Sequence, residues 1–479
     1  MLFNSLEFAI FLPLVVGLYF CLPWGYRTPM LLIASCIFYM AFIPVYILIL
    51  FVTIGIDYTA GIYIERSTGP ARRMWLVGSI ISTCAVLFVF KYFDFFTGNF
   101  VGLAHLVGWQ LPKPVVNIIL PIGLSFHTFQ SLSYVVEVYR RRQKAEHHFV
   151  TYATYVMFFP QLVAGPIERP QNLIHQFYEK HDFDYERVTA GLKRMAWGFF
   201  KKLVIADRLA LYVNDVYGAP QNFNGLQLSL ATVFFAYQIY CDFSGYSDIA
   251  IGGAQVLGFK LMENFNNPYH ARSIPEFWRR WHISLSTWFR DYLYIPVGGS
   301  HFGIRRWLLA VMITFAVSGL WHGANWTYVV WGVLNGFYLL VGTATKDWRD
   351  RIFGLIGLHR ETFIRQTIML VSTFVLTSIG WIVFRARNMG DAWYVITHFA
   401  RGWDFHQIGT EQFLLRQLPV AIAGIIILEA AQLLHGKISV PSLLVRLPVA
   451  PRFALYAGFV MVVVMFGIYQ KTQFIYFQF

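Results

Sequence analysis

Long apolar runs, nearly free of charge, recur along the whole chain. A helix of about 20 apolar residues is long enough to cross the hydrocarbon core of a bilayer. Charged residues make up 13% of this chain, whereas soluble domains carry about 25%. The hydrophobic content of 57% excludes a disordered chain, and four cysteines among 479 residues exclude a disulfide scaffold. The sequence therefore predicts an all-α, polytopic integral membrane protein.

The apolar runs indicate about twelve transmembrane helices in a single membrane domain that covers 1–479. The predicted spans lie at 3–22, 29–43, 45–63, 75–93, 115–138, 191–213, 227–258, 307–322, 325–343, 366–384, 413–434 and 453–470. The apolar segment 149–165 must keep both flanks on one side. We therefore expect a re-entrant piece that ends at Pro160 and is buried in protein.

The basic residues indicate how these spans are oriented. Lysine and arginine outnumber the acids 38 to 25, a net charge of +13, and they cluster in short loops between apolar runs. This distribution is typical of topology signals and not of nucleic-acid binding. The N-terminal MLFNSLEF has no lysine or arginine, so twelve spans place both termini outside and the basic loops inside. The outside loop 385–412, which contains three arginines, departs from the rule.

The inside loop 260–306 contains a predicted amphipathic helix. Ser273 and Glu276 form a capping box, with Pro275 in the first turn. Spacings of 4, 3 and 4 residues then place four side chains on one helical stripe, namely Trp278, His282, Leu285 and Phe289. Two interpretations of His282 stay open: an interfacial helix with a satisfied histidine, or a histidine of a catalytic chamber at the cytoplasmic side.

A second histidine, His322, lies at the end of the predicted span 307–322. The sixteen residues of helix that follow Arg306 rise about 24 Å, which predicts a deep position for His322, towards the outer side. Gly319 and Gly323 flank it and permit close backbone approach. His322 is either part of an interfacial Trp–His belt or a general base in a water-accessible tunnel.

Two acids, Asp242 and Asp248, interrupt the apolar run 227–258. Ionisable groups at membrane depth usually face the protein interior and pair there. We expect structural pairing with loop arginines ahead of a catalytic role, and a helix break at Gly245 between the two acids.

The span 115–138 contains a polar stripe. Spacings of 3, 4 and 3 residues place on one helix face His127, Gln130, Tyr134 and Glu137. We expect this face to point inward and to make packing hydrogen bonds.

The sequence has no G-x-x-x-x-G-K-[ST], H-E-x-x-H or G-x-S-x-G motif, so nothing suggests ATP use, a thermolysin-type zinc site or a serine nucleophile elbow. We expect no metal, and any transferred group must arrive already activated. The C-terminal KTQFIYFQF is strongly aromatic. It is either an interfacial belt or a tail that folds back into a groove and presents Tyr476.

Two deep histidines 40 residues apart, the second in Trp-His-Gly, resemble the membrane-bound O-acyltransferase superfamily. Nearly the whole chain is similar to its bacterial polysaccharide O-acetyltransferase branch, which includes the membrane subunit of alginate O-acetylation. The segments that carry the resemblance are FFPQLVAGPIERP (158–170), YCDFSGYSDIAIGGAQVLGF (240–259), FWRRWHISLSTWFRDYLYIPVGGS (277–300) and GLWHGANW (319–326).

This resemblance implies helices around a central tunnel in the bacterial inner membrane, acetyl-CoA on the cytoplasmic side and outward passage of acetyl. His322 matches the family's catalytic histidine, and His282 matches a second family histidine that is Asn in some branches. Anionic coenzyme A would approach the basic loop 260–306. Candidates to line the tunnel or bind the cofactor are Trp321, Asn325, Asp242, Ser244, Tyr246, Asp248, Arg279 and Arg280.

The tail residues Phe474, Tyr476 and Phe479 resemble the C-terminal motif of the small partner in teichoic-acid D-alanylation. There the tyrosine is implicated as an acyl carrier, so the final span and tail, 453–479, are a candidate acyl-relay segment with periplasmic termini. The resemblance also implies periplasmic esterase-like O-acetyltransferase subunits and polysaccharide export machinery as partners, with membrane lipid around the chain.

The resemblance implies alginate as the first choice of acceptor, with cellulose, peptidoglycan or another exopolysaccharide behind it. A proton-coupled secondary transporter, with the buried acids and histidines as a relay, is the alternative from another class. Inverted repeats favour a transporter, and none is evident in this sequence.

Overall fold

The computed structural model describes residues 1–112, 120–300, 303–404, 413–435, 448–469 and 474–475. These residues form helices, turns and loops, and no strand occurs among them. The α-helices, in chain order, are α1 Leu6–Cys21, α2 Trp24–Met40, α3 Ile47–Arg66, α4 Gly69–Leu87, α5 Phe93–Leu106, α6 Leu124–Tyr139, α7 Phe149–Met157, α8 Pro170–Leu173, α9 Tyr185–Phe199, α10 Asp207–Gly218, α11 Gly225–Leu257, α12 Ile274–Arg280, α13 Ile283–Phe289, α14 Ile295–Val297, α15 Ile304–His322, α16 Trp326–Ala344, α17 Lys346–Leu355, α18 Phe363–Arg385, α19 Met389–His398, α20 Leu418–His435 and α21 Val449–Phe466.

Several helices contain or adjoin short irregular turns. Segments of π-helix occur at Phe88–Tyr92, Phe200–Ala206, Arg290–Tyr294 and Phe413–Gln417. Short 3₁₀ segments occur at Pro44–Tyr46, Ile174–Tyr178, Pro220–Asn222 and Pro268–His270.

The predicted all-α membrane class is confirmed. Among the described residues, six helices are long and apolar enough to cross a membrane, at Pro44–Arg66, Gly69–Leu106, Ile304–His322, Trp326–Ala344, Phe363–Arg385 and Val449–Phe466. Two shorter apolar helices lie at Leu6–Cys21 and Leu418–Leu434. Twelve spans, the orientation of the termini and the single domain stay predictions.

The chain forms two compact units that are interleaved in sequence: 1–195 with 249–263, and 196–248 with 264–479. In the first unit, α6 is almost wholly buried. The predicted polar stripe faces inward, since the side chains of His127, Gln130, Tyr134 and Glu137 are all buried. Gly61 makes room for the stripe, because a Cβ there would lie 2.6 Å from the Tyr134 ring.

The apolar segment 149–165 forms α7, which ends at Met157, followed by turns that contain Pro160. Every residue from Thr151 to Gly165 is buried. The segment therefore has the burial that non-helical backbone needs at membrane depth, while its re-entrant path stays a prediction.

The second unit has a large aromatic core, which includes Trp281, Trp331 and Trp381, each at most 2% exposed. Helices α15 and α16 form an antiparallel pair that meets at two glycines. A Cβ at Gly319 would lie 2.2 Å from the Tyr328 carbonyl oxygen, and a Cβ at Gly332 would lie 2.2 Å from the Phe315 carbonyl oxygen. Only glycine permits this backbone contact, which brings the end of α15 against Trp331.

Candidate active site

The histidine at 282 lies between two helices and not within one. Helix α12 ends at Arg280, Trp281 is extended, and His282 has a left-handed backbone with φ of 43° before α13 begins at Ile283. The prediction of one amphipathic helix with His282 on its apolar stripe was therefore wrong. A residue with left-handed backbone interrupts the helix, so the residue spacings from Trp278 to Phe289 do not place these side chains on one helix face.

The start of α12 shows one half of the predicted capping box, because the Glu276 carboxylate accepts from the Arg272 N–H and not from that of Ser273. The Ser273 hydroxyl accepts a hydrogen bond from the Glu276 N–H, as a capping box requires. The Glu276 carboxylate reaches the Arg272 N–H and also pairs with Arg280 at 2.6 Å. Arg280 is thus engaged within the loop, whereas Arg279 is exposed.

His282 is buried, with 1% of its surface exposed, and aromatic rings enclose it. The Phe243 ring meets it edge-on at 4.5 Å between centroids, and Phe265 stacks at 6.4 Å. Its Nδ1 lies 3.0 Å from Asn264 Oδ1. Burial lowers the pKa of His282 well below its usual range, and charge on nearby His322 lowers it further. The ring is therefore neutral at ordinary pH.

His322 is the last residue of α15, as the sequence predicted for the span that starts at the arginine pair. It is 4% exposed. Its ring centroid lies 4.9 Å from Trp321, 5.1 Å from Trp331 and 5.4 Å from Phe384. These three aromatic rings shield the imidazole of His322 from bulk water.

Trp321 brings the two histidines into one site. Its ring centroid lies 6.4 Å from His282 and 4.9 Å from His322, and the side chain is 4% exposed. Two imidazoles separated by 40 residues of sequence thus share one aromatic neighbour. Asn325, the other tunnel candidate here, caps α16 by accepting from the Thr327 N–H and donates to the Arg387 carbonyl.

The acids of α11 form ion pairs with two lysines. Lys202 Nζ lies 2.5 Å from Asp242 and 2.9 Å from Asp207, and Lys201 Nζ lies 2.5 Å from Asp248. The expected pairing of both acids is present, but the partners that the structure shows are lysines and not the loop arginines; whether the acids also have a catalytic role stays a prediction. The partners are lysines of the π-helical segment Phe200–Ala206. Two lysines within the apolar run 191–213 were the signal that sequence reasoning passed over.

The expected helix break at Gly245 is also absent, because α11 runs unbroken for 33 residues. A Cβ at Gly245 would lie 2.8 Å from the Gly198 carbonyl oxygen. The glycine therefore permits close packing against α9 and does not bend the helix. Ser244, which lies between Asp242 and Asp248 in sequence, accepts a hydrogen bond from Lys201 Nζ at 3.0 Å.

The C-terminal tail reaches these ion pairs. Phe474 and Ile475 are buried, and the Ile475 N–H donates to Asp242 Oδ2 at 2.8 Å. Lys202 Nζ lies 4.0 Å from the Phe474 ring centroid, and Tyr246 meets that ring edge-on at 4.9 Å. The tail candidates Tyr476 and Phe479 lie outside the described residues.

Comparison with known proteins places the chain in a family. The profile of the membrane-bound O-acyltransferase family matches residues 84–384, which include both histidines. A probable alginate O-acetylase of Pseudomonas aeruginosa is 40% identical over 82% of this chain and 74% of its own length. A peptidoglycan O-acetyltransferase of Helicobacter pylori is 32% identical over 83% of this chain and 79% of its own. A teichoic acid D-alanyltransferase of Bacillus subtilis is 25% identical over 65% and 77%.

The matched region covers more than half of the chain, and the relatives align along most of their own length. The chain is therefore a multi-pass membrane acyltransferase and belongs to the membrane-bound O-acyltransferase family.

Proposed function

We propose that this protein moves acetyl groups from cytoplasmic acetyl-CoA across the bacterial inner membrane for O-acetylation of an exported polysaccharide, first of all alginate. The observation that carries the proposal is the pair of buried histidines that share Trp321 as an aromatic neighbour, inside the region matched by the family. The relatives named for alginate and peptidoglycan O-acetylation support a glycan acceptor. Cellulose or another exopolysaccharide would use the same chemistry.

In the proposed reaction, His322 takes the proton of the attacking hydroxyl as general base. The hydroxyl oxygen forms a bond to the acetyl carbon, the carbon–sulfur bond of the thioester breaks, and the coenzyme A thiolate leaves and is then protonated. The rings of Trp331 and Phe384 keep water away from His322. This matters because water would hydrolyse the activated acetyl group.

The basic loop supports entry of the anionic donor from the cytoplasmic side. Arg279 is exposed at the end of α12, two residues before the chain enters the buried site at Trp281. A positive surface at this point attracts the phosphates of coenzyme A and speeds encounter. Arg280 forms an ion pair with Glu276, so we expect it to stabilise the loop and not to bind coenzyme A.

The tail supports an outward relay. Asp242 holds the Ile475 N–H, and Tyr476 is the next residue in the chain. In this proposal the Tyr476 hydroxyl is the first acceptor, and the acetyl group then passes to periplasmic esterase-like subunits associated with the export machinery. Both termini are periplasmic in this arrangement.

Glycan acetylation in cells tests the proposal. A strain that lacks the protein should export unacetylated polysaccharide, and the wild-type gene should restore acetylation. The His322→Ala variant should be inserted normally and restore none. Full acetylation by that variant would remove the catalytic assignment. Unchanged acetylation in Tyr476→Phe would remove only the relay and leave the tail as an aromatic anchor.

A further inference from the structure

Asn264 makes an unusually complete set of contacts around His282. Its Oδ1 lies 3.0 Å from His282 Nδ1 and accepts from the Ser284 N–H at 3.2 Å and the Ser284 hydroxyl at 2.9 Å. Its Nδ2 donates to the Ser247 hydroxyl oxygen at 3.1 Å. Asn264 is 1% exposed, so these contacts are made away from water. A buried amide with this many partners has one defined orientation.

The backbone of Ser284 decides that orientation. The oxygen and nitrogen of a side-chain amide have nearly the same size and geometry, so their positions are assigned from the hydrogen-bond partners. A backbone N–H can only donate, so the atom of Asn264 that faces the Ser284 N–H must be the oxygen. The same oxygen faces His282 Nδ1. An oxygen without hydrogen accepts, so Nδ1 must carry the proton.

The backbone of Asn264 fixes the ring's position as well as its protonation. The Asn264 carbonyl accepts from the Ile283 N–H at 2.9 Å, and two residues on, the Asn266 N–H donates to the Arg280 carbonyl at 2.9 Å. These bonds hold the chain on both sides of His282 while it takes the left-handed φ of 43°. A left-handed residue other than glycine needs such support.

We propose that Asn264 is a positioning residue that holds His282 as the tautomer protonated at Nδ1, so that Nε2 is the nitrogen that accepts in the acyl-transfer site. This role rests on the proposed function, whereas the tautomer itself does not. The group that faces Nδ1 is a neutral amide. A carboxylate in the same place would stabilise the positively charged, doubly protonated ring. The groups around the ring are the aromatic Phe243, Phe265 and Trp321, together with the titratable His322. Under this assignment His282 accepts a hydrogen bond or proton through Nε2 and cannot donate one from it.

The tautomer is measured without substrate. Magic-angle-spinning NMR of the full chain in lipid, labelled with ¹⁵N-histidine, separates protonated from unprotonated ring nitrogens. Subtraction of the His282→Gln spectrum identifies the signals of this residue. We expect a protonated Nδ1 and an unprotonated Nε2. The opposite pattern would overturn the assignment.

Two substitutions test the role. Asn264→Asp keeps an acceptor for Nδ1 and for Ser284 but adds a negative charge, which raises the pKa of His282. Acetyl transfer should therefore persist at high pH and fall as pH drops through that raised pKa, with the acidic limb of the pH profile moved upward from that of wild type. Asn264→Leu offers no acceptor, and transfer should fall about 100-fold at every pH.

Ser247→Ala is the matched control, because it removes the partner of Asn264 Nδ2 and leaves Oδ1 in place. Its pH profile should match wild type. A wild-type profile for Asn264→Asp, or full transfer by Asn264→Leu, would refute the positioning role. Absence of acetyl transfer in the wild-type protein would count against the proposed function, while the NMR result would still decide the tautomer.

Discussion

Replacement of Lys202 by methionine should destabilise the protein more than removal of either acid that it binds. Lys202 Nζ lies 2.5 Å from Asp242 and 2.9 Å from Asp207, and all three side chains are at most 3% exposed. Methionine preserves most of the side-chain volume, so the change isolates the charge. Two like-charged carboxylates would then remain buried together.

The magnitude follows from this geometry. Removal of one partner from a buried ion pair costs about 3–5 kcal/mol, because the other charge stays buried and uncompensated. Asp242→Asn leaves Lys202 paired with Asp207, and the new amide oxygen can still accept from the Ile475 N–H. That variant loses one charged hydrogen bond, at about 1.5–3 kcal/mol. The two variants should differ by about 2 kcal/mol, or more than tenfold in the unfolding equilibrium.

Unfolding by dodecyl sulfate in mixed micelles, followed by tryptophan fluorescence, measures the effect on the full chain. Lys193→Met is the matched control, since it makes the same change at an exposed lysine of α9. Addition of Asp242→Asn to Lys202→Met should recover part of the loss, because it removes one of the two buried carboxylate charges that repel each other. The reasoning fails if Lys202→Met unfolds like Lys193→Met, or if Asp242→Asn is the more damaging single change.

Two further predictions concern packing and donor entry. Gly319→Val should lower the amount of monodisperse protein in size-exclusion chromatography several-fold, because the new side chain would collide with the Tyr328 carbonyl oxygen. Gly342→Val is the control and should behave as wild type, because a Cβ at Gly342 has no neighbour within 4 Å. Equal yields would refute the close contact of α15 with α16. Arg279→Gln should raise the KM for acetyl-CoA by about two- to fivefold without changing kcat, and the difference should shrink as salt rises. An unchanged KM at low salt would remove this arginine from the entry surface.

The helical class and the approximate positions of the long apolar helices could be predicted because they depend on local sequence. The run before His322 is apolar from an arginine pair to its end, and α15 begins and ends accordingly. Likewise, the polar stripe of α6 follows helical spacing and is buried. In these cases the period of the pattern and the bilayer's requirement for apolar length point to the same structure.

The errors all arise where distant residues decide the local structure. Spacings from Trp278 to Phe289 fit one helix, but hydrogen bonds donated to Asn264 stabilise a left-handed turn at His282. Gly245 stays helical because the backbone of Gly198 packs where a side chain would be. The lysine partner of Asp242, Lys202, lies 40 positions away in sequence, and no local pattern connects the two residues. Hydrogen bonds and ion pairs between residues far apart in sequence produce no periodic pattern of residue types from which they could be predicted.

The most direct test of the account is the release of coenzyme A thiol by purified protein in liposomes, supplied with acetyl-CoA and a glycan acceptor together with the periplasmic subunits. The wild-type protein should release thiol in proportion to acetyl groups on the acceptor. His322→Ala, folded as judged by its unfolding curve, should lose about 10²–10⁴-fold in rate. Equal rates for the two proteins would contradict a catalytic site built around His322.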